Sequence, residues 1–192
     1  DQRLSRGLGD VYKRQPLFRA IDAAMNWINN KENIRVVLTS PGGKKWDQKA
    51  AEKLSKTNNV ILLCGHYKGI DERVIDEYVT DQFSVGDYIL TCGEIPTLAI
   101  IDSVARLIPG AINNQDSVLK DSFSYNLLDH PHYTSPRKYR KRSVPEILLN
   151  GNHKKIDQWR LEFRKSRTLN YRPDLWEKFT KVKASEIKNG QS

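Results

Sequence analysis

Three short glycine-bearing segments carry the residues best suited to holding a small molecule. They are TSPGG at residues 39–43, CGHYKG at residues 64–69 and TCGE at residues 91–94, and each belongs to the end of an apolar run. Glycine has no Cβ, so backbone N–H and C=O groups at such positions can approach a ligand closely. A tight turn explains any one of these loops equally well. Three together predict a pocket built largely from backbone.

The elements around these loops indicate an α/β domain. Apolar runs interpreted as strands occupy residues 34–40, 59–65 and 87–93. Segments with helical spacing alternate with them, at residues 17–30, 49–56, 71–78 and 96–108. This alternation predicts a mostly parallel sheet, whose ligands bind at the carboxyl ends of the strands. The PGGKK run at 41–45 lacks the spacing of a phosphate-binding or dinucleotide-binding loop and is interpreted as a loop with solvated charges.

A different pattern follows residue 110. Residues 111–142 are rich in Asn, Asp, Ser, Pro and Tyr without a sustained period, which predicts a linker, and residues 143–192 predict a small helical domain. Ser143 and Glu146 have the spacing of a capping box, and Asn152 can cap the next helix. That helix carries one apolar stripe, formed by Ile156, Trp159 and Phe163.

Positive charge is concentrated in the last third of the chain. Residues 131–192 hold sixteen Lys and Arg against six Asp and Glu, whereas residues 1–130 hold sixteen against seventeen. A near-neutral domain joined to a strongly basic one predicts a polyanionic partner, and nucleic acid is the commonest.

Several classes of protein and site are disfavoured. No apolar run approaches the roughly 18 residues that a membrane span needs, and no leader pattern opens the chain, so a cytoplasmic protein without a membrane segment is expected. Cys64 and Cys92 lack paired zinc-ligand spacing and are predicted to be buried thiols. The four histidines have no metal-ligand spacing to one another, so no metal site is assigned.

Five blocks of the sequence resemble one enzyme family. They are CGHYKGIDERV, SVGDYILTCGEIP, IDSVARLIPG, DSFSYNLLDHPHYTSP and ILLNGNHKKIDQWR. In this order they resemble the bacterial tRNA (guanine-N1)-methyltransferases, the SPOUT-class enzymes that methylate guanosine 37. The resemblance runs from about residue 16 to about residue 179. It implies an α/β fold with a deep trefoil knot and a small all-helical C-terminal domain.

The resemblance also implies a methyl donor and an assembly. S-adenosylmethionine would lie bent in the knot of a homodimer whose active site is at the subunit interface, and the partner would be tRNA. Use of Mg²⁺ is implied without any ligand being assigned. The residues expected at the donor, carried over by position, are Leu38, Thr39, Ser40, Pro41, Gly65, Tyr67, Val85, Gly86, Tyr88, Leu90, Gly93 and Pro96.

Two further residues match the catalytic positions of the family. Asp121 corresponds to the catalytic aspartate and Arg106 to an active-site arginine. N1 of guanine carries a proton, and its loss places negative charge on O6. A carboxylate can accept that proton and a guanidinium can stabilise the oxygen. We hypothesise that the linker orders over the guanosine only when tRNA is present, which makes Asp121 more basic.

The basic residues are expected to contact tRNA phosphates. Such contacts add salt-dependent affinity rather than base choice. The candidates lie in the RKYRKR run and on the helix after Asn152, and they are Arg137, Lys138, Arg140, Lys141, Arg142, Lys154, Lys155, Arg160, Arg164 and Arg167.

The chain departs from the family pattern at His66, Lys68 and Cys92, and at its start. Residues 1–15 match none of the pattern and are expected to be foreign or disordered, so that the native N-terminal segment is lacking. Residues 16–112 are then the donor-binding domain, 113–142 a flexible linker carrying Asp121, and 143–192 the tRNA-binding domain. The alternative function is a basic RNA-binding protein whose catalysis is impaired.

Overall fold

The computed structural model describes residues 14–30, 32–66, 69–111 and 121–189. The chain divides into two compact units, Asp1–Asn113 and Asn114–Ser192. Predictions for Tyr67, for Lys68, for residues 1–13 and for the part of the linker at 112–120 lie outside the described residues.

The first unit is built on a three-stranded parallel sheet, as the alternating pattern predicted. Its strands are β1 (Ile34–Lys45), β2 (Asn59–Leu63) and β3 (Asp81–Ser84), in the order β2-β1-β3. Val37 on the central strand pairs with Leu62 of β2 and with Asp81 of β3. The α/β class and the parallel sheet are therefore confirmed, whereas the knot remains a prediction.

Helices cover both faces of this sheet. They are α1 (Arg14–Trp27), α2 (Gln48–Leu54), α3 (Glu72–Tyr78) and α4 (Glu94–Ala105). Successive side chains of a strand point to opposite faces, so Val36 and Leu38 pack with α1 and α3, and Val37 packs with Leu54 of α2 and Ile100 of α4. The N-terminus of α2 is fixed by Asp47, whose side chain accepts a hydrogen bond from the backbone of Ala50.

The third strand differs from the sequence prediction. The predicted strand at 87–93 is an irregular loop, in which Tyr88 is 57% and Ile89 83% exposed. The ladder position beside β1 is taken instead by β3, where Phe83 packs its ring against Trp46 at a centroid distance of 4.8 Å. A short apolar run bounded by glycines does not by itself distinguish a strand from an exposed loop.

The PGGKK segment also differs from its prediction as a loop. It belongs to β1, whose register on β3 shifts between Thr39 and Lys44 so that Lys44 pairs with Phe83 and Lys45 with Ser84. A Cβ on Gly43 would lie 2.5 Å from the backbone nitrogen of Phe83. Glycine is needed there because the two strands meet backbone to backbone.

Within its described residues, the second unit contains two helices and a small hairpin. The helices are α5 (His153–Tyr171) and α6 (Pro173–Asn189), and the hairpin joins β4 (Lys138–Tyr139) to β5 (Arg142–Ser143). Short 3₁₀ turns lie at Ser124–Asn126 and Glu146–Leu148. The predicted cap on α5 is confirmed, since the Asn152 side chain accepts a hydrogen bond from the backbone of Lys155 at 3.1 Å.

Two predictions for this unit were wrong. Ser143 does not cap a helix, because it pairs with Lys138 in the hairpin and the following 3₁₀ turn begins after Pro145. The RKYRKR run, assigned to a linker, forms this hairpin and its turn.

The segment 121–130 is docked on α5 rather than extended. Leu127 is buried, the backbone N–H of Leu128 donates to the Thr168 hydroxyl at 2.8 Å, and Arg164 Nε donates to the Leu128 carbonyl at 3.2 Å. Thr168 is fully buried, so these bonds fix the segment against the helix. Over the described part of the chain, no helix combines the length and apolar character needed to cross a membrane.

Candidate functional site

The first unit contains a cavity of about 660 Å³ at the carboxyl ends of its strands. Of the twelve residues predicted to hold the methyl donor, eleven line it and Tyr67 lies outside the described residues. The eleven are Leu38, Thr39, Ser40, Pro41, Gly65, Val85, Gly86, Tyr88, Leu90, Gly93 and Pro96. The structure thus brings residues from three separate loops to one place, which is where parallel sheets bind ligands.

The wall formed by β1 comes from the irregular part of that strand. Pairing with β3 stops at Thr39 and resumes at Lys44, so Ser40 and Pro41 lie in the register shift and line the cavity. The Thr39 hydroxyl donates to the Gly93 carbonyl at 3.4 Å. This contact joins the end of β1 to the loop that precedes α4.

The loops after β2 and before α4 meet backbone to backbone. The N–H of Gly93 donates to the carbonyl of Gly65 at 2.7 Å, and His66 and Cys92 form an isolated antiparallel bridge. A Cβ on Gly93 would lie 2.6 Å from the Gly65 nitrogen. The close approach predicted from the glycines is therefore present at this pair.

The two cysteines flank this contact. Both are free thiols and both are half-buried rather than fully buried as the sequence predicted. The Cys64 thiol donates to the Thr97 hydroxyl at 3.4 Å, and Cys92 lines the cavity. They are only partly covered because the loops that carry them form the cavity wall.

A hydrogen bond between His66 and Glu94 links the loop after β2 to the start of α4, next to the cavity. The His66 ring contacts the Glu94 carboxylate through Nε2 and Oε1, and this hydrogen bond is the main cause that lowers the pKa of Glu94. Sequence comparison alone identified His66 only as a departure from the family pattern. Its partner was not foreseen, because Glu94 lies 28 residues further along the chain.

Other lining residues were missed because the third strand was misplaced. Phe83 and Ser84 line the cavity from β3, and the Ser84 hydroxyl donates to the Gly86 carbonyl at 3.1 Å. The signal that could have found them is the run VTDQF just after α3, whose β-branched and aromatic residues favour a strand. Ile70 and Ile75 add apolar wall from the segment after β2.

The two predicted catalytic residues belong to different units. Arg106 is exposed and follows α4, with its backbone N–H donating to the Asp102 carbonyl at 3.3 Å. Asp121 is half-buried at the start of the described part of the second unit. Its neighbour Ser122 accepts a hydrogen bond from the backbone of Asp129 at 2.9 Å, so Asp121 stands at the base of a folded loop.

The predicted RNA-contacting residues occupy two surfaces of the second unit. Exposed side chains of the hairpin region are Arg137, Lys138, Arg140, Lys141 and Arg142, and exposed side chains of α5 are Lys154, Lys155, Arg160 and Arg167. Arg164 is different, since it is half-buried and its Nε donates to the Leu128 carbonyl. At the hairpin turn, the Arg140 guanidinium lies 5.5 Å from the centre of the Tyr139 ring.

Comparisons with known proteins point in one direction. A family model described as "tRNA (Guanine-1)-methyltransferase TrmD" matches residues 1–178, a range that includes residues 1–15. A protein of Alkaliphilus oremlandii named tRNA (guanine-N(1)-)-methyltransferase is 46% identical over 190 residues, which cover 97% of this chain and 76% of the relative. A protein of the same name from Staphylococcus epidermidis is 46% identical over 179 residues, covering 93% and 71%. One from Anoxybacillus flavithermus is 46% identical over 173 residues, covering 90% and 70%.

Proposed function

The chain belongs to the tRNA (Guanine-1)-methyltransferase TrmD family, and we propose that it transfers the methyl group of S-adenosylmethionine to N1 of guanosine 37 in tRNA. The observation that carries this proposal is the convergence of eleven predicted donor-site residues on one cavity. The cavity has the size of a small-molecule site, which is typically about 300–1,000 Å³.

The cavity is suited to a donor that combines flat apolar and polar groups. Leu38, Ile70 and Pro96 offer apolar surface for the faces of an adenine ring, and backbone groups around Gly65 and Gly93 offer donors and acceptors for its edge and for the ribose. Backbone groups are fixed before binding, so they add little ordering cost when the ligand arrives. The donor itself supplies an electrophilic methyl group on a sulfonium.

Asp121 and Arg106 are the residues that we assign to the chemistry. The Asp121 carboxylate takes the proton from guanine N1, and N1 forms a bond to the methyl carbon as the carbon–sulfur bond breaks. Arg106 stabilises the negative charge that develops on O6. The products are N1-methylguanosine and S-adenosylhomocysteine, so proton, methyl group and charge are all accounted for.

Replacing Asp121 by Asn tests this assignment. We expect the single-turnover rate of methyl transfer to fall about 10²- to 10⁴-fold, the usual contribution of a positioned general base. Affinity for S-adenosylmethionine, measured by calorimetry, should be unchanged, because Asp121 is not among the residues that line the cavity. Asp76→Asn, which removes an exposed carboxylate from α3, is the matched control. An Asp121→Asn enzyme with the rate of the control would refute the role.

Mg²⁺ has no defined site at this cavity within the described residues. The ion prefers oxygen ligands, and Glu72 is the carboxylate that lines the cavity there. A single carboxylate does not define a binding site, so no step of the proposed reaction involves the ion.

A homodimer belongs to the same proposal. Large apolar side chains are exposed together on the loop 85–93 and on α4, and they include Ile89, Ile95, Leu98 and Ile101. Exposed apolar patches of this kind mark interaction sites in soluble proteins. We infer that a second copy of the chain covers them and that the active site lies at the interface. Family membership supports this arrangement, the knotted SPOUT fold and action on tRNA in the cytoplasm.

A further inference from the structure

A cluster of three potential metal ligands lies in the second unit, whereas the donor cavity is formed by residues of the first. It consists of Asp129, His130 and His132, and we name it the Asp–His–His cluster. One ligand atom from each residue lies within 4.8 Å of the other two. It is the one such group found among the described residues. Nothing in the proposed methyl transfer uses it.

The orientation of the His130 ring is fixed by a hydrogen bond to the backbone. Its Nδ1 lies 3.0 Å from the Pro131 carbonyl oxygen. A carbonyl can only accept, so Nδ1 carries the hydrogen and Nε2 of the neutral ring carries a lone pair. That Nε2 lies 3.8 Å from Asp129 Oδ1. A carbonyl that holds the distal nitrogen is the arrangement that orients histidine ligands in metalloproteins.

The other two members are similarly held. His132 Nε2 lies 2.8 Å from Asp129 Oδ2, and the two imidazole rings are 4.5 Å apart between centroids. The backbone N–H of Asp129 donates to the Ser122 hydroxyl at 2.9 Å. Asp129 Oδ1 accepts from the backbone N–H of His130 at 2.7 Å. Asp129 is therefore anchored on both its backbone and its carboxylate.

We propose that the Asp–His–His cluster binds a divalent transition metal ion, for which Zn²⁺ is the best match. Two imidazole nitrogens and one carboxylate oxygen are ligands that Zn²⁺ accepts, whereas Mg²⁺ prefers oxygen alone. With metal–ligand distances of about 2.0–2.1 Å, ligand atoms of a tetrahedral site lie roughly 3.3 Å apart. His132 Nε2 lies 2.8 Å from Oδ2 and His130 Nε2 lies 3.8 Å from Oδ1 of the same Asp129 carboxylate. One ligand atom from each residue lies within 4.8 Å of the other two, so the three side chains must draw closer to reach tetrahedral spacing around the ion.

The cluster leaves room for further ligands. His130 and His132 line a cavity of about 520 Å³ together with Arg137 and Arg160. His132 is exposed over 70% of its side chain, so one side of the ion would be open to water or to a phosphate oxygen. A bound Zn²⁺ would take the place of the hydrogen between His132 Nε2 and Asp129, and the neutral ring would then carry its hydrogen on Nδ1.

The competing interpretation is that the histidines only pair with Asp129. Metal binding and simple pairing can be distinguished in the 192-residue chain by following the ring nitrogens of its four histidines in an ¹⁵N-labelled sample during titration with Zn²⁺. We expect resonances of His130 and His132 to shift with one equivalent of Zn²⁺, while those of His66 and His153 stay in place. The two half-buried cysteines are checked with Co²⁺, since thiolate ligation gives an intense near-ultraviolet band that this site should lack.

A matched pair of variants measures the contribution of the cluster. In His132→Gln, affinity for Zn²⁺ measured against a chromophoric chelator should fall at least about tenfold, the lower end of the loss seen even for outer-shell groups. His132 is largely exposed, so the fold should tolerate the change. His153→Gln, at the exposed start of α5, should bind Zn²⁺ as the parent chain does.

Two outcomes would overturn the proposal. One is the absence of saturable Zn²⁺ binding in the parent chain. The other is binding that His132→Gln leaves unchanged or that shifts His66 or His153 instead. Because these readouts involve neither S-adenosylmethionine nor tRNA, failure here is independent of failure of the proposed methyltransferase activity.

Discussion

Gly93 is in close contact with the backbone of Gly65. A Cβ at position 93 would lie only 2.6 Å from the backbone nitrogen of Gly65, so only glycine fits there. Replacing Gly93 by Ala must therefore push the two loops apart, which breaks the 2.7 Å hydrogen bond between them and widens the cavity. We expect affinity for S-adenosylmethionine, measured by calorimetry, to fall about tenfold or more, because both loops supply backbone partners of the donor in the proposed site.

Gly42→Ala is the matched control for that variant. Its added Cβ would meet nothing closer than the Ser40 hydroxyl at 3.8 Å, an ordinary contact, so donor affinity should stay near that of the parent chain. If Gly93→Ala and Gly42→Ala bind the donor equally well, the Gly65–Gly93 contact does not shape the donor site.

Sequence reasoning located most of the cavity lining but not its internal contacts. Glycine content marked the three loops, and the family resemblance supplied residues such as Leu38 and Tyr88 that no periodicity indicates. The His66–Glu94 pair and the Asp–His–His cluster were missed, because each depends on how loops fold back in space. Spacing along the chain carries no signal for such contacts.

The turn of the β4–β5 hairpin holds Arg140 in a backbone conformation that is unfavourable for any residue other than glycine. Arg140 has a φ of 55°, in the left-handed region. This conformation costs a non-glycine residue roughly 1–2 kcal/mol. An outlier of this kind motivates a functional hypothesis, which here is that the turn presents the guanidinium to RNA phosphate.

Replacing Arg140 by Gly should separate stability from binding. The free energy of unfolding in urea should stay constant or rise by about 1 kcal/mol, because glycine adopts positive φ without strain. Affinity for tRNA should fall, and the slope of log affinity against log salt should decrease by about 0.7–0.9, the loss of one phosphate contact. Arg140→Lys keeps the charge and should keep the slope. An Arg140→Gly variant with an unchanged slope would remove Arg140 from the RNA contacts.

The start of α6 carries an ion pair with a predictable dependence on pH. Arg172 donates two hydrogen bonds to Asp174, at 2.8 and 2.7 Å, and this lowers the pKa of Asp174 from 3.8 to about 2. A depressed carboxyl pKa stabilises the folded state above the unfolded pKa, and that stabilisation is lost as pH falls through the folded one.

Replacing Asp174 by Asn should therefore lower the melting temperature at pH 7. The difference from the parent chain, followed by circular dichroism, should shrink as pH falls from about 3.8 towards 2. Arg172→Gln should weaken the same dependence, since it removes the largest cause of the shift. A difference that is constant over this range would mean that the pair contributes nothing through ionisation.

Long elements with a repeating apolar pattern were predicted well from the sequence, whereas short elements were predicted poorly. The helices of the first unit and the cap on α5 follow from apolar spacing and from Asn152, whereas the third strand was placed at 87–93 instead of 81–84. Residues 81–84 form a strand because they pair with the edge of β1 that β2 leaves unpaired. This pairing is a tertiary contact, which the local sequence does not indicate. Each strand of the hairpin has only two residues, which is too short for an alternating apolar pattern to be detected in the sequence.

On the scale of the whole molecule, the exposed apolar side chains of α4 predict the homodimer. Leu98 is 62% exposed, and a charge introduced there should prevent association, because an unpaired charge cannot be buried without a large cost. We expect Leu98→Glu to be a monomer by light scattering at concentrations where the parent chain is a dimer. Val182→Glu, on the exposed surface of α6, should leave the dimer intact. A monomeric parent chain would contradict this part of the account.

The sequence predicted an α/β part followed by a basic helical part, because periodicity changes near residue 110 and positive charge is concentrated after residue 130. The chain in fact divides after Asn113, with the basic residues concentrated in the second unit. Periodicity could not show that residues 121–130 fold onto α5, since that docking depends on Thr168 and Arg164, more than 30 residues away. The knot that the family resemblance implies could not be predicted from periodicity either, because general connection rules disfavour knots.

The central claim is transfer of a methyl group to guanine N1 in tRNA. It is tested most directly by incubating the chain with labelled S-adenosylmethionine and unmodified tRNA transcripts that carry G or A at position 37, and by identifying the modified nucleoside by mass. We predict N1-methylguanosine on the G transcript and no product on the A transcript. Absence of transfer from protein that is folded by circular dichroism would contradict the account and favour a basic RNA-binding protein without catalysis.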